Sequence, residues 1–81
     1  MRAYVSIETK LGTAIMVVNR LRKEDKQVLS ADAIYGRFDA IAVIQAPALE
    51  DIDKVVFEVI QSDPNVLKTE TSIVLGLQST K

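Results

Sequence analysis

At 81 residues the chain has the length of one small domain, with a core too small to be stable by a wide margin. It contains neither cysteine nor histidine, which excludes disulfides, Cys- or His-ligated metals and every histidine-based nucleophile–base pair. Ten basic residues against eleven acidic ones, a net charge of −1, leave no basic stripe to neutralise a nucleic-acid backbone, so direct nucleic-acid binding is not expected.

Along the chain, Ala3 to Thr9 alternate, with Ala3, Val5 and Ile7 pointing one way and Tyr4, Ser6 and Glu8 the other. This predicts a strand with one apolar face and one mixed face. Leu11-Gly12-Thr13 breaks it, and Thr13 stands where a helix N-cap would. From Ala14 to about Lys23 the spacing becomes helical, with Ala14, Val17, Val18 and Leu21 on one stripe. Arg20, Arg22, Lys23 and Lys26, interrupted by Glu24 and Asp25, read as a solvated helix end with cations near the negative pole of its dipole.

A second strand is predicted from about Val28 to Tyr35 and a third from Phe38 to Ala46. Gly36-Arg37 between them signals a two-residue hairpin. The third strand is apolar on both faces, Phe38, Ala40, Ala42 and Ile44 against Ile41 and Val43, as in a central strand covered on both sides. Pro47 marks the start of a second helix, with Glu50, Asp51 and Asp53 in or near its first turn. Leu49, Ile52, Val56, Val59 and Ile60 form its expected buried stripe. Asp63-Pro64-Asn65 stops that helix, and a last strand spans about Val66 to Leu77.

The order β-α-β-β-α-β predicts an α+β, ferredoxin-like sandwich occupying residues 1–81 as a single domain, with a four-stranded antiparallel sheet and two helices on one face. The other face of the sheet would then be open, and the third strand puts apolar side chains on it. With 48% hydrophobic residues, the chain is expected to bury that face against another copy of itself, as in dimeric α+β-barrel proteins.

Several functions lack the residues they need. There is no Cys-x-x-Cys for a metal, no glycine-rich phosphate loop, and no aromatic run on the middle strands to stack RNA bases. The acidic pairs Glu24-Asp25 and Glu50-Asp51 sit at helix ends, where solvation explains them better than acid–base work. No cofactor is expected. The N-terminus is too short and polar for a signal peptide, and no apolar run reaches the length of a membrane span, so a cytoplasmic protein with no membrane partner is expected.

Two segments remain, Tyr35-Gly36-Arg37-Phe38-Asp39 and Val66-Leu67-Lys68-Thr69-Glu70-Thr71. With Asp63-Pro64-Asn65 and the opening Ala3-Tyr4-Val5-Ser6-Ile7-Glu8-Thr9, they resemble the effector-binding (RAM) domain of the Lrp/AsnC transcription regulators. The family's hairpin reads glycine, two variable residues and aspartate before an apolar strand, as in Gly36-Arg37-Phe38-Asp39. Its last strand is threonine-rich after a proline-bearing turn. The likeness runs from about residue 2 to 76. It departs in lacking the family's N-terminal helix-turn-helix, so it resembles stand-alone members, and in Lys26-Gln27-Val28, where a proline-bearing approach is more usual.

The resemblance implies an amino-acid effector bound between neighbouring dimers, with the ligand contacts on Tyr35, Gly36, Arg37, Asp39, Thr69 and Thr71. Asp39 would accept from the ammonium, while the threonine hydroxyls and the backbone N–H groups around Gly36 would donate to the carboxylate. The implied partners are further copies, as dimer, tetramer, octamer or decamer, and a DNA-binding Lrp/AsnC regulator. From the residues alone, plain structural roles are favoured: Asp39 capping the hairpin, Gly36 making the turn, and Thr69 and Thr71 as ordinary β-branched strand residues. A small dimeric α+β-barrel enzyme, of monooxygenase or isomerase type, and a purely structural assembly domain remain as rival readings.

Overall fold

The computed structural model describes residues 1–76. Its elements are β1 (Arg2–Thr9), α1 (Ala14–Glu24), β2 (Val28–Ala33), β3 (Ala40–Gln45), α2 (Leu49–Val55, continued by a π-helical turn, Val56–Ile60) and β4 (Val66–Ile73). The four strands form one antiparallel sheet in the order β2-β3-β1-β4. This is the ferredoxin-like βαββαβ arrangement that the hydrophobic periodicities predict.

Alternation along β1 decides which face is inside. Ala3, Val5 and Ile7 are fully buried, together with Ala40, Ala42 and Ile44 of β3 and Val28 and Ala31 of β2. They meet Val17, Val18 and Leu21 of α1 and Ile52, Val55, Val56 and Ile60 of the second helix in one aliphatic core. That core is filled by close packing of branched side chains, each of which loses contact with water.

Several local expectations are corrected. The strands flanking the hairpin stop earlier, β2 at Ala33 and β3 at Ala40, leaving Phe38 outside the sheet. The Ile34 N–H donates to the Asp39 carbonyl (2.9 Å), so a four-residue tip, Tyr35 to Phe38, replaces the two-residue turn. A two-residue turn of the favoured kind needs positive φ, and Gly12 is the only described glycine in that region of backbone space, at φ 80°. The Asp39 N–H, moreover, bonds to the Ile7 carbonyl (2.9 Å), which ties the start of β3 to β1 as well as to the end of β2. The predicted end of the last strand at Leu77 lies outside the described residues.

The second helix buries Val55 in place of Leu49, which is half-exposed in its first turn. Its final turn is π-helical, with the Gln61 N–H reaching the Val56 carbonyl at 2.8 Å. Val55 precedes that turn, at ordinary helical spacing from Ile52, and within it Ile60 is buried while Val59, expected in the core, is half-buried. Pro47 precedes the helix by two residues, and the Asp51 carboxylate accepts from the Ala48 N–H (3.2 Å) at its start. Thr13 does not cap α1; its hydroxyl donates to the Lys10 carbonyl (2.7 Å).

The basic cluster does more than meet solvent. Arg20 donates through Nε to the buried Asp63 carboxylate (2.7 Å) and through Nη2 to the Val59 carbonyl (2.6 Å), and pairs with Glu24. Asp63 also accepts from the Asn65 N–H (2.9 Å). One guanidinium thus joins α1, the π-helical turn and the turn before β4. Arg22 donates to the Ala31 carbonyl (2.7 Å) and pairs with Asp32 (3.0 Å), covering part of the β2 edge, a place where an unpaired strand invites aggregation.

The open face is less apolar than the sequence suggests. The register places Ile41 beside Ser6 and Asp32, and Val43 beside Tyr4 and Ser30. Tyr4, Ile41 and Val43 form its apolar centre, and Glu70, Ser72 and Lys68 of β4 border it. β3 is therefore central, yet in the single chain only its inner face is covered.

Two substitutions separate backbone strain from packing. Gly12→Ala, at positive φ with open space around it, is expected to cost about 1 kcal/mol. Leu21→Ala, which empties a fully buried site, is expected to cost about 2–5 kcal/mol. Urea denaturation with an unchanged m-value reads both.

Candidate ligand-binding site

The hairpin and the β1–α1 loop lie at the same end of the sheet because Ile7, near the end of β1, pairs with Ala40 at the start of β3. Asp39 organises that end. Its Oδ2 accepts from the Thr9 N–H at 2.8 Å, just beyond the last β1–β3 pair, Ile7 with Ala40. Oδ1 has no hydrogen bond among the described residues, and the half-buried carboxylate lines a cleft of about 350 Å³ with Thr9, Lys10, Leu11, Gly12, Ala14 and Ile15.

The other sequence-predicted residues are placed differently. Tyr35 projects into solvent, and Gly36 has open space where a Cβ would stand and no left-handed backbone. Neither a close approach nor a strained turn therefore requires glycine there. The Arg37 guanidinium lies 5.9 Å from the centroid of the Phe38 ring, within reach of a cation–π attraction. Thr69 and Thr71 pair with Ile7 and Val5 on the other side of β1, two strand spacings from the hairpin, about 10 Å. The Thr69 Oγ1 accepts from the Gln61 side chain (2.7 Å), and Thr71 is exposed. One chain therefore gathers Tyr35, Gly36, Arg37 and Asp39 at a tip and leaves Thr69 and Thr71 across β1.

Sequence reasoning missed Lys10, Leu11 and Ile15. Leu11 is fully exposed and Ile15 mostly so. A signal existed: Ile15 and Met16 are apolar residues off the buried stripe of α1, and Leu11 stands at a glycine break where polar residues are usual. Ala14, expected in the core, is only half-buried and lines the cleft.

Chemically the cleft offers an apolar wall, one carboxylate with a spare oxygen and one lysine without an ion pair among the described residues. Among these residues no group of three or more acidic side chains is placed to hold a metal. Nor is any described helix long and apolar enough to cross a membrane. The layer between sheet and helices, where the rival enzyme reading would put polar groups, is filled by aliphatic core residues.

A ferredoxin-like sheet with a charged-and-apolar cleft at its hairpin end defines the class of small ligand-binding α+β domains. The chain belongs to the Lrp/AsnC ligand binding domain family, whose model matches residues 2–79. The crystal structure of FFRP-DM1 is similar, with a TM-score of 0.84 and 27% identity over 91% of this chain and 97% of that one. TTHA0845 of Thermus thermophilus has a TM-score of 0.86 and 25% identity, covering 93% of this chain and 92% of its own. The transcriptional regulator NMB0573 of Neisseria meningitidis, crystallised as an L-Met complex, shares the fold (TM-score 0.81, 18% identity, 98% of this chain), and the chain spans 52% of its length. No curated protein matches the chain.

The structural role of Asp39 is separable from its charge. Asp39→Ala leaves the Thr9 N–H without its acceptor and is expected to cost about 1–3 kcal/mol in thermal or urea unfolding. Asp39→Asn keeps a carbonyl oxygen for that N–H and is expected to unfold close to the wild type.

Proposed function

We propose that the protein is a ligand-sensing regulatory domain, residues 1–81 acting as one unit, that binds an amino acid at a contact between subunits. The observation that carries this reading is the division of the candidate site. The hairpin residues Tyr35, Gly36, Arg37 and Asp39 and the threonines Thr69 and Thr71 flank opposite sides of β1, so a ligand touching both sets needs a second copy to bring them together. Membership of a ligand-binding family and the L-Met complex of a protein with this fold support an amino acid as the ligand class.

The second copy has a place to dock. Tyr4, Ile41 and Val43 present an apolar centre on the open sheet face, and burial there stabilises by roughly 25 cal/mol per Å². Dimers formed on that face keep the hairpin tips free for contacts with further dimers, giving tetramers, octamers or decamers. A ligand held between dimers adds contacts only in the assembled form, so it shifts assembly by mass action. In this reading the protein works in the cytoplasm, catalyses no reaction and leaves DNA contact to a separate Lrp/AsnC regulator that it joins or modulates.

Sedimentation of the wild type at micromolar concentration is expected to show a dimer or larger species. Val43→Glu, which puts a charge at the centre of the open face, is expected to give a monomer. Thermal-shift measurements with the twenty amino acids are expected to show stabilisation by one or a few. A monomeric wild type that no amino acid stabilises at millimolar concentration would overturn the proposal.

A further inference from the structure

We infer that the free edge of β4 pairs with the same edge of a second copy, antiparallel about a two-fold axis at Thr69, so that two four-stranded sheets join into one. This contact is separate from the open face and the hairpin tips, where the sensing reading puts its copies, and it needs no ligand.

The sheet has two edges, β2 and β4, and they differ. Arg22 lies over the β2 edge through the Ala31 carbonyl and Asp32. β4 has eight residues, four of them β-branched and none of them proline, and its backbone pairs with β1 alone. The Val74 N–H, just past the strand, donates to the Arg2 carbonyl (2.9 Å). Direction alternates along an antiparallel ladder, so Ser72, Glu70 and Lys68 also turn their backbone groups toward β1. Thr69, Thr71 and Ile73 turn theirs outward. A long unpaired row of this kind is a template for another strand.

Charge identifies that strand. Lys68 and Glu70 stand on the same side of β4, and neither has an ion pair among the described residues. Antiparallel pairing centred on Thr69 sets Lys68 of each copy against Glu70 of the other. Centred on Lys68 or on Glu70, it sets that residue against its own counterpart. Centred on Thr71, it leaves Lys68 opposite Val74 and Glu70 opposite Ser72. Opposite charges across a strand pair stabilise it and like charges oppose it, so the Thr69 register is selected over its neighbours. An unrelated extended segment would match the order Lys68-Thr69-Glu70 only by chance; a second copy matches it by symmetry.

The helix side of the same edge supplies apolar surface. The Gln61 side chain bonds to Thr69 Oγ1 (2.7 Å), which places that flank of the second helix beside the strand. Phe57, a turn before Gln61, is 71% exposed, and Leu67 is 57% exposed. In the paired form Leu67 lies beside Thr71 of the other copy and both helix flanks lie on one side of the joined sheet, so part of this surface leaves water. Backbone bonds exchanged for bonds to water contribute little each. Edge pairing therefore joins Val43→Glu monomers only well above micromolar concentration.

The chain has no cysteine, so a single introduced one reports the axis. With the whole 81-residue chain approaching millimolar concentration in a glutathione redox buffer, Thr69→Cys is expected to form a symmetric disulfide. Its counterpart lies at the Cα spacing of a bonded pair, roughly 5.5 Å. Thr71→Cys, whose counterpart stands several residues away along the ladder, is expected to stay reduced. Both results are expected to persist in a Val43→Glu background, which removes the open-face contact.

Lys68→Glu and Glu70→Lys are each expected to slow cross-linking of Thr69→Cys about tenfold or more, and the double exchange to restore it. Thr71→Pro removes one outward N–H while sparing the β1 ladder. It is expected to abolish the association of Val43→Glu seen by sedimentation without unfolding the protein. Faster cross-linking at Thr71→Cys than at Thr69→Cys would overturn the register and the pairing that rests on it. Equal rates at the two positions, no cross-linking at either, or charge reversals without effect would overturn pairing between copies and leave the edge to an extended segment of another protein. None of these outcomes depends on whether an amino acid stabilises the protein, so the sensing reading stands or falls separately.

Discussion

The end of β1 and the start of β3 are pinned together by two hydrogen bonds that share one residue. The Asp39 N–H reaches the Ile7 carbonyl, and the Asp39 carboxylate takes the Thr9 N–H. A backbone N–H at the end of a buried strand needs an acceptor, and a side-chain oxygen supplies it beyond the last β1–β3 pair. Much of the functional end follows. β3 starts late, the hairpin tip widens to the segment from Tyr35 to Phe38, and the second carboxylate oxygen is left facing the β1–α1 loop. A structural bond thus fixes the position of the charge on which the proposed ligand recognition depends.

The helix layer is held in register by a different device. Arg20 reaches Asp63 and the Val59 carbonyl at once, joining both helices to the turn that launches β4. The Val59 carbonyl is available because it lies in the last turn of the second helix, where carbonyls have no intrahelical partner. A planar guanidinium with several donors suits such a junction better than a lysine would. With a core of sixteen buried residues among those described, none larger than isoleucine or leucine, a small domain gains from a tie that crosses three elements.

The two faces of the sheet divide the labour. The inner face is aliphatic on β1 and β3, with Thr69 and Thr71 on the same side of β4. Among the described residues the outer face has its apolar centre at Tyr4, Ile41 and Val43, with serines and charges on β2 and β4. A polar rim around an apolar centre is the usual composition of a subunit contact. It also argues against a wholly apolar second side: the border residues favour one pairing over indiscriminate association.

The sequence by itself determined the element order, the inner face of β1 and the motifs that carry the family resemblance. These depend on periods of 2 and 3.6 residues and on local turn chemistry, which neighbouring residues impose. Asp39 was legible as a ligand candidate, and so was the hairpin, though its width was not. Only the tertiary structure decided that Asp39 bonds to Thr9, that Thr69 and Thr71 lie across β1 from the hairpin, and that Leu11 and Ile15 wall a cleft. Those facts depend on contacts between residues far apart in the chain, such as Thr9 with Asp39 and Arg20 with Asp63. The π-helical turn was not legible either, because nothing in the composition of Val56 to Ile60 distinguishes it from an α-helical turn.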